Sequence, residues 1–227
     1  MSGHDFQFCG ASLVACANGT LWLPASETLC VSDLHLGKSE RIARRAGLML
    51  PPFETLDTLT RLGETITRLN PKTVICLGDS FDDLTAANDL APDTKSHIIQ
   101  LQAGRKWLWI EGNHDAGPVD IGGTHVAQTT IGNLTLRHIA TDEEAEISGH
   151  YHPKHAVAGT ARPCFLYDTR RLIMPAFGTY TGGLRSDAAP LKALFPHGAI
   201  AVLTGKSAIA TPLGKNQRPQ DSRGMSY

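Results

Sequence analysis

No C-x-x-C pair occurs among the five cysteines of this chain, which are Cys9, Cys16, Cys30, Cys76 and Cys164. An odd, scattered set excludes a disulfide framework and a thiolate zinc site as organising devices, and a reducing cytoplasm is the expected compartment. Net charge is nearly absent as well: the formal value is -1, so an anionic partner has to be met by local basic residues and not by a global field. Aromatic residues are 6% of the chain, few for a protein that stacks bases along a groove. No apolar run approaches the ~18 residues of a membrane span, and no basic flank leads an apolar segment at the N-terminus. Neither a signal peptide nor a spanning helix is therefore expected. Internal repeats and clear linkers are missing too. With 227 residues, 41% hydrophobic and 19% charged, the composition is that of a globular protein. One domain over residues 1–212 is expected, followed by a polar tail, 213–227, that frays.

Short β-type runs alternate with helical ones. Leu29 to Ser32 reads as a strand ending at Asp33. Glu54 to Leu69 places Leu56, Leu59, Leu62, Ile66 and Leu69 at helical steps. Thr73 to Leu77 reads as a buried strand, Thr94 to Ala103 as a helix stopped by Gly104, and Trp107 to Ile110 as another strand. Beyond that the chain turns β-rich, at Thr124–Ala127, Leu134–His138, Glu146–Ser148, Cys164–Tyr167, Leu172–Met174 and Ala199–Leu203. Asn18-Gly19 reads as a type I′ hairpin turn and Ile131-Gly132-Asn133 as a second hairpin. Both asparagines sit in glycosylation sequons, a match that carries no weight without a secretion signal. Strand–helix alternation followed by strands implies two packed sheets with helices outside.

Residues of metal-binding type then fall in five clusters: Asp33-x-His35, Gly78-Asp79-x-x-Asp82, Gly112-Asn113-His114-Asp115, His138 and Gly149-His150-x-His152. Singly, most have an ordinary explanation. An Asp after a strand commonly caps a helix, and a lone His is commonly a satisfied, half-buried one. Five in succession, each at an expected strand end, are not explained by chance, because the carboxyl ends of strands are where open α/β sheets bind ligands. Asp and His suit Mn, Fe, Zn or Ni. In an extended segment residues i and i+2 face the same side, so Asp33 with His35, and His150 with His152, could each address one cavity. One carboxylate can bridge two cations about 3.5–4 Å apart. Two divalent cations against the charges of Asp33 and Asp79 would leave a positive surplus, suited to a phosphate and to acidifying a bound water.

The ordered set DLH, GDSFD, GNHD, a separate His and GHYH resembles the calcineurin-like metallophosphoesterase superfamily, over about residues 29–152. That resemblance implies an α/β fold, a four-layer α/β/β/α sandwich with two central mixed β-sheets. It implies a first metal on Asp33, His35, Asp79 and His152 and a second on Asp79, Asn113, His138 and His150. His114 would protonate the leaving oxygen or stabilise the transition state, and Asp82 would orient His114. The reaction implied is attack by a metal-bridging hydroxide on phosphorus.

SDLHLGK with a basic helix, then LPP (Leu50 to Pro52), GDSFDD, RPCF (Arg162 to Phe165) and PAFGTYTGGL (Pro175 to Leu184) further resembles the bacterial ligase-associated DNA damage response endonucleases. This implies a manganese-dependent phosphodiesterase or nuclease acting on DNA beside a DNA ligase and a helicase. Iron, zinc, nickel and magnesium remain alternative metals. A phosphomonoesterase or nucleotide pyrophosphatase on the same metals, and a non-catalytic scaffold, remain alternative functions. Lys38, Arg41, Arg44 and Arg45 would form one basic stripe on a helix, where Lys38, Arg41 and Arg45 are candidates to hold substrate phosphates; a solvated helix face with Glu40 as counter-charge accounts for them equally well. Lys154 and Arg162 are candidates to extend the stripe, and Tyr180 and Thr181 lie in a Gly-flanked turn. His4, His97, His125, His155 and His197 have no assigned role. Gly37-Lys38-Ser39 copies the end of a phosphate-binding loop, but Ser32 stands where G-x-x-x-x-G-K-[ST] requires its first glycine, so no nucleotide loop is expected.

Overall fold

The computed structural model describes residues 2–39, 53–115, 117 and 119–214. Its strands form two mixed sheets. The first contains β1 (Gly3–Phe8), β2 (Ala11–Cys16), β3 (Leu21–Leu23), β4 (Thr28–Val31), β5 (Thr73–Leu77), β6 (Lys106–Ile110) and β7 (Thr124–Val126), side by side in that order. Strands β1 to β4 pair antiparallel, whereas β4 to β7 pair parallel. The second sheet contains β8 (Gln128–Ile131), β9 (Leu134–Arg137), β10 (Glu146–Ser148), β12 (Thr160–Tyr167), β13 (Arg171–Ile173), β14 (Ala199–Leu203) and β15 (Ile209–Leu213), in the order β15-β14-β12-β13-β10-β9-β8. A short β11 (Lys154–Val157) pairs with β12.

The inner faces of the sheets pack on each other through Leu21, Cys30, Ile75 and Ile110 from one side and Leu136, Ile147, Phe165 and Leu172 from the other. Outside the first sheet, α1 (Glu54–Leu69) and α3 (Pro92–Gln102) bury Leu59, Leu62, Ile66 and Ile98 against Leu29, Val31 and Val74. A five-residue α2 (Leu84–Asn88) follows β5, its first turn capped by the Asp83 carboxylate accepting from the Ala86 N–H. Outside the second sheet, α4 (Ala189–Leu194) places Leu191 on Leu166 and Ile173. This is the four-layer α/β/β/α order. No helix of the described residues is long and apolar enough to cross a membrane. All five cysteines are free.

Two expectations change. The Asn18-Gly19 hairpin does join β2 to β3, but among its residues only Gly19 lies in the left-handed region (φ 94°), so the turn is not type I′. Asn18 spends its side chain instead, accepting from Thr20 N–H (3.2 Å) and donating to Thr65 Oγ1 of α1 (2.7 Å). The stripe of α1 is also rotated: Leu56 is 59% exposed, and Glu54, Thr55, Thr58 and Thr65 are buried beside Leu59, Leu62 and Ile66. Polar side chains occupy the buried face because that face meets loops as well as the sheet. The strand β15 runs to Leu213, and the rest of the expected tail, 215–227, lies outside the described residues, as do Arg41, Arg44, Arg45 and Leu50 to Pro52.

Candidate metal centre

Parallel pairing brings the ends of β4, β5 and β6 to one edge, and the loops go on pairing beyond the strands. Asp33 N–H donates to Gly78 O (3.2 Å), His35 N–H to Asp79 O (2.9 Å) and Leu36 N–H to Ser80 O (3.0 Å). Across the sandwich the ends of parallel β9 and β10 deliver His138 and then His150 and His152. Gly149 sits so close to the opposite sheet that a Cβ there would lie 1.8 Å from Ser32 Oγ and 2.5 Å from Asp33 Oδ2, which glycine alone permits. The next residue, His150, donates its main-chain N–H to Asp33 Oδ2 (3.0 Å).

Among the described residues three trios of possible ligand atoms result, each within 4.8 Å: Asp33, His35 and His152; Asp79, His138 and His150; and His35, Asp82 and His114, of which the first two join both sheets. In the first, His152 Nε2 lies 3.0 Å from Asp33 Oδ1 and 3.4 Å from His35 Nε2. In the second, His138 donates Nδ1–H to the Leu77 carbonyl (2.8 Å) and turns Nε2 toward Asn113 Oδ1 (3.0 Å), His150 Nδ1 (3.2 Å) and Asp79 Oδ2 (3.4 Å). With its proton on Nδ1, His138 points a lone pair at oxygens that also offer lone pairs. A cation at their common point would resolve that crowding, so the donor set fits a divalent metal. Protonation pursues the same compensation: burial lowers the His138 pKa, but the Asp79 hydrogen bond and the charges of Asp33 and Asp79 outweigh it and raise it. For Asp79, burial raises the pKa, and the hydrogen bond and charge of His138, with the His114 N–H, outweigh it, lowering the pKa to about 2. For His150, burial and the His138 charge lower the pKa.

The ligand-bearing backbone is not extended. Asp33 (φ 53°), His35 (46°), Asp79 (45°), His150 (68°) and His152 (45°) are all left-handed, a conformation that costs non-glycine residues free energy. Alternate side chains still converge, but through a kinked chain and not through the i, i+2 geometry of a strand.

His114 sits beside this centre. Its main-chain N–H donates to Asp79 Oδ1 (2.9 Å), its Nδ1–H donates to the main-chain carbonyl of Asp82 (2.9 Å), and its ring meets that of His35 edge-on at 5.3 Å. The carboxylate of Asp82 lies 3.2 Å from His35 Nδ1 and within 4.8 Å of a His114 ring nitrogen. Asp82 Oδ1 and His35 Nδ1, both buried, do not hydrogen-bond each other in this geometry, so the contact is electrostatic. Asp82 thus holds His114 through its backbone carbonyl and places its carboxylate beside both rings.

Sequence reasoning placed Asp115 in the third cluster but gave it no role. Buried, it accepts from the main-chain N–H groups of Asp79 (3.1 Å) and Gly112 (3.0 Å) on one oxygen, and of Ser80 (2.7 Å) and Phe81 (3.1 Å) on the other. Its place in GNHD was the available signal. Lys38 is half-buried at the start of a helical turn. The phosphate-loop imitation beside it is closed to ligands, since Gly37 N–H goes to Thr55 Oγ1 (2.9 Å) and Ser39 N–H to Glu54 Oε1 (3.0 Å). Arg162 donates to the carbonyls of Thr204 (2.6 Å) and Ser207 (3.2 Å), which fixes it in a turn. His155 pairs with Ser186 (2.8 Å), and Trp107 and Trp109 are core residues.

The calcineurin-like phosphoesterase family model matches residues 27–198, a span that contains every candidate ligand. Among solved structures, the chain is similar to a Pseudomonas putida nuclease, MPE, with a TM-score of 0.73 and 25% identity, covering 93% of this chain and 100% of that one. A phosphoesterase from E. coli, Yfce, aligns with a TM-score of 0.42 and 12% identity over 82% of this chain and 99% of the other. No curated protein matches the chain. The family match, across both sheets and both trios that join them, makes this chain a member of the calcineurin-like phosphoesterases, a metal-dependent phosphohydrolase.

Proposed function

We propose that the protein hydrolyses phosphodiester bonds in DNA on a dimetal centre, as a repair nuclease. The carrying observation is that two trios of ligand-type side chains, each drawn from both sheets, adjoin one another, the His150 N–H of one donating to the Asp33 carboxylate of the other, with His114 against His35. Likeness to a nuclease over 93% of the chain supports the diester class. Asp33, His35 and His152 would hold one cation and Asp79, Asn113, His138 and His150 the other, with Asp79 the candidate bridge. Manganese is the proposed metal. When bound, the cations supply Lewis acidity to the phosphoryl oxygens and lower the pKa of water.

The remaining chemistry belongs to side chains. Because His114 commits Nδ1–H to the Asp82 carbonyl, the proton it gives to a leaving oxygen sits on Nε2, and the ring acts as an imidazolium. Asp82, whose carbonyl accepts from His114 and whose carboxylate lies beside the His35 and His114 rings, would orient His114. Lys38 would meet a flanking phosphate, together with Arg41 and Arg45 from the adjoining segment. A cytoplasmic setting beside a DNA ligase and a helicase belongs to the same reading.

The test is a substrate panel with manganese. Single-stranded DNA and bis-p-nitrophenyl phosphate are expected to be turned over in preference to p-nitrophenyl phosphate; turnover of the monoester alone would overturn the diester reading. His114→Ala is expected to lower kcat by about 10²–10⁴ with both metals retained, and undiminished turnover would refute its role.

A further inference from the structure

We propose that Tyr180 forms a nucleobase subsite at the rim of the metal pocket, its ring stacking on a base that flanks the scissile phosphodiester. The inference rests on the diester reading above and adds a second recognition element to it.

The segment 177–184 is stitched to the ligand-bearing loops at both ends. Phe177 N–H donates to Ser32 O (2.8 Å) and Gly178 N–H to Asp33 O (3.1 Å), while Leu184 N–H donates to Tyr151 O (3.3 Å). The approach is close enough that a Cβ on Gly178 would lie 2.1 Å from Leu34 O, and one on Gly183 would lie 2.1 Å from His152 O. Tyr180 stands between these two contacts. Its Cα is two residues from Gly178, hence within ~7.6 Å of a glycine that touches the first trio's loop.

The mount is rigid. Arg61 of α1 donates to Phe177 O (2.8 Å) and Thr179 Oγ1 (2.9 Å) and lies over the Phe177 ring at 4.6 Å. Thr179 donates through its N–H to Thr58 Oγ1 (3.1 Å) and through its hydroxyl to Asp57 Oδ2 (2.5 Å). Thr181 Oγ1 closes back on Gly178 O (2.9 Å), and Lys154 Nζ donates to Thr181 O (3.3 Å), leaving a cation beside the same turn.

On this mount Tyr180 as a residue is 46% exposed, and its backbone is left-handed at φ 62°. An aromatic side chain normally offsets its ordering by burial. Here burial is incomplete, and the conformation is one that glycine, present at 178, 182 and 183, would adopt without strain. Neither packing nor local conformation accounts for tyrosine at this position. Stacking on a base does, since a half-exposed, pre-positioned ring is what a single strand needs beside its reactive phosphate.

The experiment compares a single-stranded oligodeoxynucleotide with a strand of equal length built from abasic units, with manganese, for the wild type and for Tyr180→Phe, Tyr180→Ala and Tyr180→Gly. The ratio of kcat/KM, intact over abasic, is expected to fall roughly 5- to 150-fold in the Ala and Gly variants. That is the equivalent of the ~1–3 kcal/mol that base–aromatic stacking contributes, and it should be carried mainly by KM. Phe is expected to keep the ratio. A 2-aminopurine in the strand should be quenched by the wild type and by Phe but not by Ala or Gly. An unchanged ratio, or an equal loss on both strands, would overturn the proposal. So would a lowered melting temperature in Tyr180→Gly, since a structural tyrosine loses packing whereas a strained one does not. If the wild type cleaves neither strand yet hydrolyses p-nitrophenyl phosphate, the diester reading itself has failed.

Discussion

Replacing Asp115 by alanine would remove the acceptor from four main-chain N–H groups, those of Asp79, Ser80, Phe81 and Gly112. Buried donors left unsatisfied cost about 1–3 kcal/mol apiece when no water replaces the partner. Asp115→Ala is therefore expected to destabilise the protein by at least ~3 kcal/mol and to weaken metal binding by ~10–100-fold. Urea unfolding and metal titration would measure both, and an unmoved midpoint would show that the four bonds are not holding the loops. At this scale the ligand types were legible in the sequence, because aspartate, asparagine and histidine at strand ends announce their chemistry. What those side chains lean on was not. The placing of the Asp82 carboxylate beside His35, and the stapling of two loops by Asp115, are contacts 47 and 34–36 residues apart in sequence or in neighbouring loops that only the folded chain specifies.

Helix α1 teaches the same lesson for elements. Its extent, Glu54–Leu69, follows from apolar spacing, yet its buried face contains Thr55, Thr58 and Thr65, which periodicity counts as solvent-facing. The polar residues are buried because α1 does two jobs: Leu59, Leu62 and Ile66 hold it to the sheet, and Thr55, Thr58 and Arg61 hold the loops around Gly37 and Thr179. Thr58→Val conserves volume while leaving the Thr179 N–H without its acceptor. Hydrogen exchange at residues 178–181 is expected to accelerate by roughly tenfold, as a loss of about 1–2 kcal/mol implies, with protection in β5 and β6 unchanged. Unaltered exchange in the loop would mean that α1 does not hold it. Strands rich in β-branched and apolar residues, such as β5 and β14, were readable from sequence, and the hairpin at Gly132 implied β8, whereas β1, β11 and β15 were not. Their exposed, polar-alternating residues resemble loops until a neighbouring strand supplies hydrogen bonds.

For the molecule as a whole, two trios take candidate ligands from both sheets: Asp33 and His35 with His152, and Asp79 with His138 and His150. A cation in either place ties the halves of the sandwich together, so metal binding should add directly to the free energy of folding. Manganese at about 100 times its Kd would contribute ~2.7 kcal/mol per site, raising Tm by roughly 5–10 °C for a chain of this size. Scanning calorimetry with manganese and with a chelator tests this, and coincident transitions would argue that the trios bind no metal in solution.

The pairing of residues across the sandwich also sets an order in time. Asp33 and the His150 N–H that binds its carboxylate are 117 residues apart. On a ribosome adding ~5–20 residues per second, β4, β5 and β6 can pair for several seconds while neither trio is complete. Only when β9 and β10 have emerged and docked does either metal have its histidines. Metal capture is thereby a late event in the life of the nascent chain, and a hydrolytic centre comes into being only after both sheets have found each other.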